Sequence, residues 1–187
     1  FAPLETTERL LFSVAAAGFA GIMIEDQLSP KRCGHTGVKA VVNRDEALNR
    51  IRAACDARDA GADILIMART DARSVLGLDE ALWRVRAFAD LGADILFLEA
   101  PRDEAEMAAF CAVAPVPKLA NMLEEGITPI LPPERLAELG YKIAAYPLTL
   151  LSTAVHAMRE ALAALKTGRT PQRRVDFRGI QEIVGFP

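Results

Sequence analysis

One pattern recurs along the chain. A stretch with helical periodicity leads to a glycine, then to a short apolar run that ends on a polar residue. The first copy is Ala17-Gly18-Phe19-Ala20-Gly21-Ile22-Met23-Ile24-Glu25. The second is Ala60-Gly61-Ala62-Asp63-Ile64-Leu65-Ile66-Met67-Ala68-Arg69, and the third is Leu91-Gly92-Ala93-Asp94-Ile95-Leu96-Phe97-Leu98-Glu99. Leu139-Gly140-Tyr141-Lys142-Ile143-Ala144-Ala145-Tyr146 is a weaker copy, and Pro117-Lys118-Leu119-Ala120-Asn121 lacks the glycine. A glycine just past a helix end supplies the left-handed residue that closes the last turn. A continuous Ile/Leu/Met run suits a strand buried on both faces of a parallel sheet. The pattern predicts strands near 21–25, 63–69, 93–99, 117–121 and 142–146, with helices between them.

Helix starts are legible as well. Asn43 and Asp103 each precede a glutamate by three positions, a capping-box spacing. Pro132-Pro133 opens a short helix reaching Leu139, and a long apolar-rich helix runs from Thr149 to Lys166 before Gly168. Trp83 and Phe88 are expected in the core, as are Cys55 and Cys111. His156 is expected to serve packing or an interface.

The runs end in Glu25, Arg69, Glu99, Asn121 and Tyr146. Polar residues at the carboxyl ends of successive parallel strands point to a (β/α)8 barrel, whereas a doubly wound sheet gathers them at one switch point. No G-x-G-x-x-G motif or P-loop supports nucleotide binding. The expected fold class is therefore α/β, a TIM-type barrel. The 187 residues hold its last five strands as a single partial domain, with a C-terminal helix at 148–167 and a tail at 168–187. The chain opens at Phe1 without Met, and the three remaining strands are expected N-terminal to it. An open barrel would expose strand edges at 21–25 and 142–146.

Composition narrows the function. With 51% hydrophobic residues the chain is not a disordered segment. Its 22 Lys+Arg against 25 Asp+Glu give a net charge of −3. No basic, aromatic-interleaved stretch favours nucleic acid. The longest apolar runs are too short to span a bilayer, and no signal peptide is legible. Three cysteines do not suggest a disulfide framework, so the expected compartment is the cytoplasm.

The chemistry concentrates in Glu25-Asp26-Gln27-Leu28-Ser29-Pro30-Lys31-Arg32-Cys33-Gly34-His35. Cations beside a thiol favour the thiolate, which makes Cys33 a candidate acid or nucleophile. Gly34 would let a backbone N–H approach a ligand closely. A solvated basic loop with an incidental cysteine fits these residues equally well. Arg69 and Glu99, taken alone, fit a structural pair across strand ends as well as a site.

Ile24-Glu25-Asp26-Gln27 followed by Lys31-Arg32-Cys33-Gly34-His35 resembles the signature of the isocitrate lyase / phosphoenolpyruvate mutase superfamily, nearest its 2-methylisocitrate lyase-like branch. The resemblance continues in Ala68-Arg69-Thr70-Asp71-Ala72, Leu98-Glu99-Ala100-Pro101, Asn121, Thr128-Pro129, Tyr146-Pro147-Leu148-Thr149 and the tail from Phe177 to Gly185. It implies a barrel that binds Mg²⁺ (Mn²⁺ as an alternative) and handles 2-oxo acid enolates. Cys33 then matches the acid that protonates the departing enolate, and Lys31 a catalytic residue on the same loop. Gly34, His35, Arg69, Glu99 and Asn121 match substrate-binding positions. Glu25 matches a carboxylate that reaches the metal through water. Asp26 is expected to cap the loop, and Asp71 to brace Arg69. The resemblance also implies a homotetramer that exchanges its C-terminal helix.

Two departures qualify the match. The family's Mg²⁺-ligating aspartates precede everything in this chain. The carboxylate-binding Arg expected shortly after Tyr146-Pro147 is replaced by Leu150-Leu151-Ser152-Thr153. The expected activity is a Mg²⁺-dependent carbon–carbon lyase on a small 2-hydroxy di- or tricarboxylate, of the 2-alkylmalate or methylisocitrate type. The alternatives are an oxaloacetate decarboxylase, a phosphonomutase and, from a different class, a non-catalytic barrel fragment.

Overall fold

The computed structural model describes residues 4–29 and 40–186. The chain divides into two compact units, residues 1–146 and 147–187. The first holds five strands: β1 (Gly21–Glu25), β2 (Leu65–Thr70), β3 (Ile95–Leu98), β4 (Lys118–Asn121) and β5 (Ile143–Ala145). All neighbours are parallel and the order is β1-β2-β3-β4-β5. Helix α1 (Leu4–Ala16) precedes β1. The crossovers carry α2 (Arg44–Asp59), α3 (Ala72–Leu76), α4 (Leu78–Asp90), α5 (Glu104–Ala112) and α6 (Pro133–Leu139). A strictly sequential parallel order is that of consecutive barrel strands; a doubly wound sheet reverses direction at its middle.

The pleat sorts each strand into two faces. One face meets the helices. Ile66, Ala68, Leu96, Leu98 and Ala120 are buried there, in one cluster with Ile51, Val85, Phe88, Met107, Phe110 and Leu136. Burying a side chain of this size stabilises the fold by about 1.5–3 kcal/mol. The other face carries Met23, Leu65 and Ile143, which stay partly exposed. The apolar runs are thus covered on the helix side, while the opposite face keeps exposed apolar side chains.

Local signals act as expected at the helix ends. Asn43 Oδ1 accepts from the Glu46 N–H at 2.8 Å, and Asp103 Oδ1 from the Glu106 N–H at 2.9 Å. The glutamates pair elsewhere: Glu46 with Arg50, Glu106 with Arg73 and the Arg102 N–H. Gly61 and Gly140 follow α2 and α6 with φ of 114° and 108°, the left-handed closure that a Cβ would strain.

Trp83 departs from the expected core position. It is 38% exposed, and the Arg44 guanidinium stacks 3.8 Å from its ring centroid. Phe88, five residues on, is fully buried. At 3.6 residues per turn, a step of five residues puts the two side chains about 140° apart around the helix.

In the second unit, α7 (Thr149–Lys166) and α8 (Phe177–Val184) contain no buried residue. His156 is exposed on α7, 3.4 Å from Glu160. No helix among the described residues is long and apolar enough to cross a membrane.

Candidate active site at the carboxyl ends of the strands

Register fixes which side chains meet. Glu25 pairs with Arg69, and Arg69 with Phe97, across β1, β2 and β3. Paired residues in a parallel sheet share a face, and so do residues two apart. Glu25, Arg69, Phe97 and Glu99 therefore lie on the face opposite the helices. Asn121 joins them, because it lies two residues past Leu119, the partner of Phe97.

Arg69 is the centre of this group. Its Nε donates to Asp71 Oδ2 at 2.8 Å and its Nη2 to Asp71 Oδ1 at 3.0 Å. Glu25 lies 3.5 Å from Nε and Glu99 3.4 Å from Nη2. The guanidinium packs 4.9 Å from the Phe97 ring centroid. Gln27 Nε2 donates to Asp71 Oδ1 at 3.1 Å. Burial is the largest single influence and opposes the charged guanidinium, but the Asp71 hydrogen bonds together with the charges of Asp71, Glu99 and Glu25 outweigh it and hold its pKa above the ordinary arginine value. Arg69 is thus a fixed cation whose planar fork is already aligned.

A second layer holds Asp71 itself. Asp26 is almost wholly buried. Its Oδ1 accepts from the Asp71 N–H at 2.9 Å, and its Oδ2 from the Thr70 hydroxyl at 2.6 Å and Arg84 Nη1 at 3.1 Å. Burial pushes the Asp26 pKa up; the Asp71 N–H, Thr70 and Arg84 offset only part of that.

Glu99 follows β3 directly, with its N–H bonded to the Thr70 carbonyl at 3.1 Å. The next residue, Ala100, is buried and has φ of 56°. A left-handed non-glycine residue costs about 1–2 kcal/mol, and such strain gathers at functional sites.

The segment after β1 is anchored at both ends. Leu28 N–H donates to Ala40 at 2.9 Å and Val42 N–H to Asp26 at 2.8 Å, around a Gln27–Val41 antiparallel bridge. Arg50 Nη1 donates to the carbonyls of Glu25 and Gln27 at 3.0 and 2.9 Å. Lys31, Cys33, Gly34 and His35 lie outside the described residues.

The structure therefore brings Glu25, Arg69 and Glu99 together and places Asn121 on the same face. Gln27, Phe97, Thr70 and Arg84 were not singled out from sequence. Phe97 and Gln27 could have been found by counting two residues along each strand. Arg84 gave no signal, since its i,i+4 spacing from Glu80 reads as a solvated helix face.

Among the described residues no three His, Cys, Asp or Glu side chains are grouped to hold a metal ion. The carboxylates of Glu25, Asp71 and Glu99 all face Arg69. These residues alone do not fit a Mg²⁺ site.

A sequential parallel β/α array with a buried charged cluster at its strand carboxyl ends is a barrel-type site. A family model described as phosphoenolpyruvate phosphomutase matches residues 2–166, and the chain belongs to that family. It is 45% identical over 174 residues to 2,3-dimethylmalate lyase of Eubacterium barkeri, covering 91% of this chain and 60% of that one. It is 42% identical over 169 residues to 2-methylisocitrate lyase of Salmonella typhimurium, covering 90% of this chain and 57% of that one. Among solved structures, oxaloacetate acetylhydrolase in complex with the inhibitor 3,3-difluorooxalacetate superposes with a TM-score of 0.90 at 35% identity, covering 99% of this chain and 64% of that one. A crystal structure of 2,3-dimethylmalate lyase, a PEP mutase/isocitrate lyase superfamily member, superposes with a TM-score of 0.88 at 35% identity, covering 99% and 63%. The chain thus spans about three-fifths of the length of these relatives.

Proposed function

We propose that the complete protein is a carbon–carbon lyase that cleaves a small 2-hydroxy dicarboxylate, of the 2-alkylmalate type, to a 2-oxo acid and a second carboxylic acid. The observation that carries this reading is the pre-set guanidinium of Arg69, braced by Asp71 and buried at the strand ends. The similarity to 2,3-dimethylmalate lyase supports the same substrate class. The lack of an arginine in Leu150-Leu151-Ser152-Thr153 disfavours a third substrate carboxylate, as in methylisocitrate.

In this proposal Arg69 clamps one substrate carboxylate, the Gly34 N–H and His35 hold another, and Glu99 and Asn121 orient the hydroxyl end. Holding the substrate this way lowers the entropic barrier. The hydroxyl loses its proton to solvent, from which the Cys33 thiolate is later reprotonated, and the adjacent C–C bond breaks. One fragment becomes the 2-oxo acid, and the other takes the electron pair as a carboxylate-stabilised enolate. Cys33 protonates the enolate carbon, with Lys31 beside it favouring the resulting thiolate. Three carboxylates already surround Arg69, so a dianionic substrate needs further positive charge. Lys31 and His35 supply part of it, and in the complete protein Mg²⁺, reached by Glu25 through water, would supply the rest.

Cleavage of oxaloacetate is the second reading. The similarity to oxaloacetate acetylhydrolase favours it. Assembly is part of the proposal: a cytoplasmic homotetramer in which the helix at 149–166 passes between subunits, supported by the exposure of Leu150, Leu151, Met158, Leu162 and Leu165. A product assay on the complete protein with Mg²⁺ tests the chemistry. A 2-oxo acid released from a 2-alkylmalate supports the lyase, and turnover of oxaloacetate alone supports the second reading.

A further inference from the structure

We infer that Arg84, on α4 and remote from the open face of the sheet, is a positioning residue for the substrate clamp, acting through Asp26 and Asp71 on Arg69. The inference rests on the reading of Arg69 as the carboxylate clamp.

The chain of contacts is continuous. Arg84 is 2% exposed. Its Nε donates to Glu80 Oε1 at 2.9 Å and its Nη1 to Asp26 Oδ2 at 3.1 Å. Asp26 turns its other oxygen to the Asp71 N–H, while Oδ2 also accepts from the Thr70 hydroxyl. Thr70 Oγ1 in turn accepts from the Ala72 N–H at 3.1 Å. Asp26 thus straps the turn in which β2 ends and α3 begins. That turn sets the direction of the Asp71 carboxylate, and the carboxylate sets the plane of the Arg69 guanidinium.

The buried Asp26 carboxylate accepts three hydrogen bonds, and the one charged donor among them is Arg84. Arg84 is the buried cation in contact with it, and Glu80 orients Arg84 from one helical turn earlier. Glu80 is itself held by Arg44, at 3.2, 3.1 and 2.5 Å. The relay joins the stacked Arg44–Trp83 pair at the surface to the cluster at the strand ends. Such a relay does more than pack. Without Arg84 Nη1, Asp26 Oδ2 would keep only the Thr70 hydroxyl, and the carboxylate would lose the donor that holds it against the Asp71 N–H. The Arg69 fork would then loosen while the strands stayed in place.

The test uses the complete protein with Arg84→Met, Arg84→Lys and Thr70→Val. The last removes the hydroxyl of the same strap without stranding a charge, so it guards against a misfolded Arg84→Met. Two readouts are taken below the melting point of each variant. The first is phenylglyoxal modification of Arg69, followed by peptide mass spectrometry, with Arg58 as an internal control. Arg58 is held by Asp94 and Asp59 outside the relay. The second is kcat and KM on the best 2-hydroxy dicarboxylate. Arg84→Met and Thr70→Val are expected to raise the Arg69 rate at least fivefold with Arg58 unchanged, and to raise KM more than they lower kcat. Arg84→Lys is expected to recover most of both. An unchanged Arg69 rate, or Arg69 and Arg58 accelerating together, overturns the inference. A wild type that turns over none of the acids sinks the lyase reading instead, and the labelling comparison still decides the positioning role.

Discussion

Asp71 binds one edge of the Arg69 guanidinium through Nε and Nη2, at 2.8 and 3.0 Å, from a position two residues along the same chain. The clamp is thereby set by its own strand end, and Glu25 and Glu99 approach it from the flanking strands at 3.5 and 3.4 Å. Pre-alignment lowers the cost of ordering the side chain when substrate binds.

Lysine carries the charge of Arg69 but not its paired donors. Losing one charge-assisted hydrogen bond costs about 1.5–3 kcal/mol, so Arg69→Lys should lower kcat/KM by about tenfold or more. Steady-state kinetics on a 2-alkylmalate checks this. A value within twofold of wild type would mean that Arg69 does not hold the substrate.

Two glycines separate strain from crowding. Gly61 has φ of 114° and open space where a Cβ would go. Gly140 has φ of 108°, and an added Cβ would lie 3.3 Å from Cys111 Cβ. Gly61→Ala should cost about 1–2 kcal/mol from backbone strain alone. Gly140→Ala should cost more, because Cys111 must also move. Urea denaturation of both variants gives the comparison, and equal losses would contradict it.

Acid should weaken the α3–α5 link. Hydrogen bonds from Arg73 hold the Glu106 pKa below its ordinary value of 4.5. Glu106 therefore binds fewer protons folded than unfolded just below that value. Its stabilisation is full above pH 4.5 and is lost as pH falls through the folded pKa. Glu106→Gln should melt below wild type at neutral pH, with the gap narrowing on acidification. A gap that widens in acid would reverse the assignment.

The exposed apolar face of α7 predicts assembly. Leu150 is 83% and Leu162 65% exposed. A Leu162→Glu variant of the complete protein should lose its largest oligomer in light scattering and retain its far-ultraviolet circular dichroism. An unchanged mass would rule out a subunit contact at Leu162.

Much of the architecture was legible because it follows local rules. The glycine before four of the five apolar runs, the Asn43 and Asp103 caps and the polar ends of the runs each reflect one residue's conformational or hydrogen-bonding preference. The relay from Arg84 to Arg69 was not legible. Its members lie just past β1, at the end of β2 and on α4, and only packing makes them neighbours. Trp83 misled for a related reason: an aromatic on an amphipathic helix reads as core, yet Arg44 from α2 supplies its cover. The roles of Lys31, Cys33, Gly34 and His35 rest on the sequence motif, since these residues lie outside those described.

The central claim is carbon–carbon cleavage of a 2-hydroxy dicarboxylate. The most direct measurement is a coupled 2-oxo acid assay on the complete protein with Mg²⁺, over methylisocitrate, several 2-alkylmalates and oxaloacetate, with Cys33→Ser run in parallel. The account predicts release of a 2-oxo acid from a 2-alkylmalate, faster than from methylisocitrate, and its loss in Cys33→Ser. Turnover of oxaloacetate alone, or full 2-alkylmalate activity in Cys33→Ser, would contradict it.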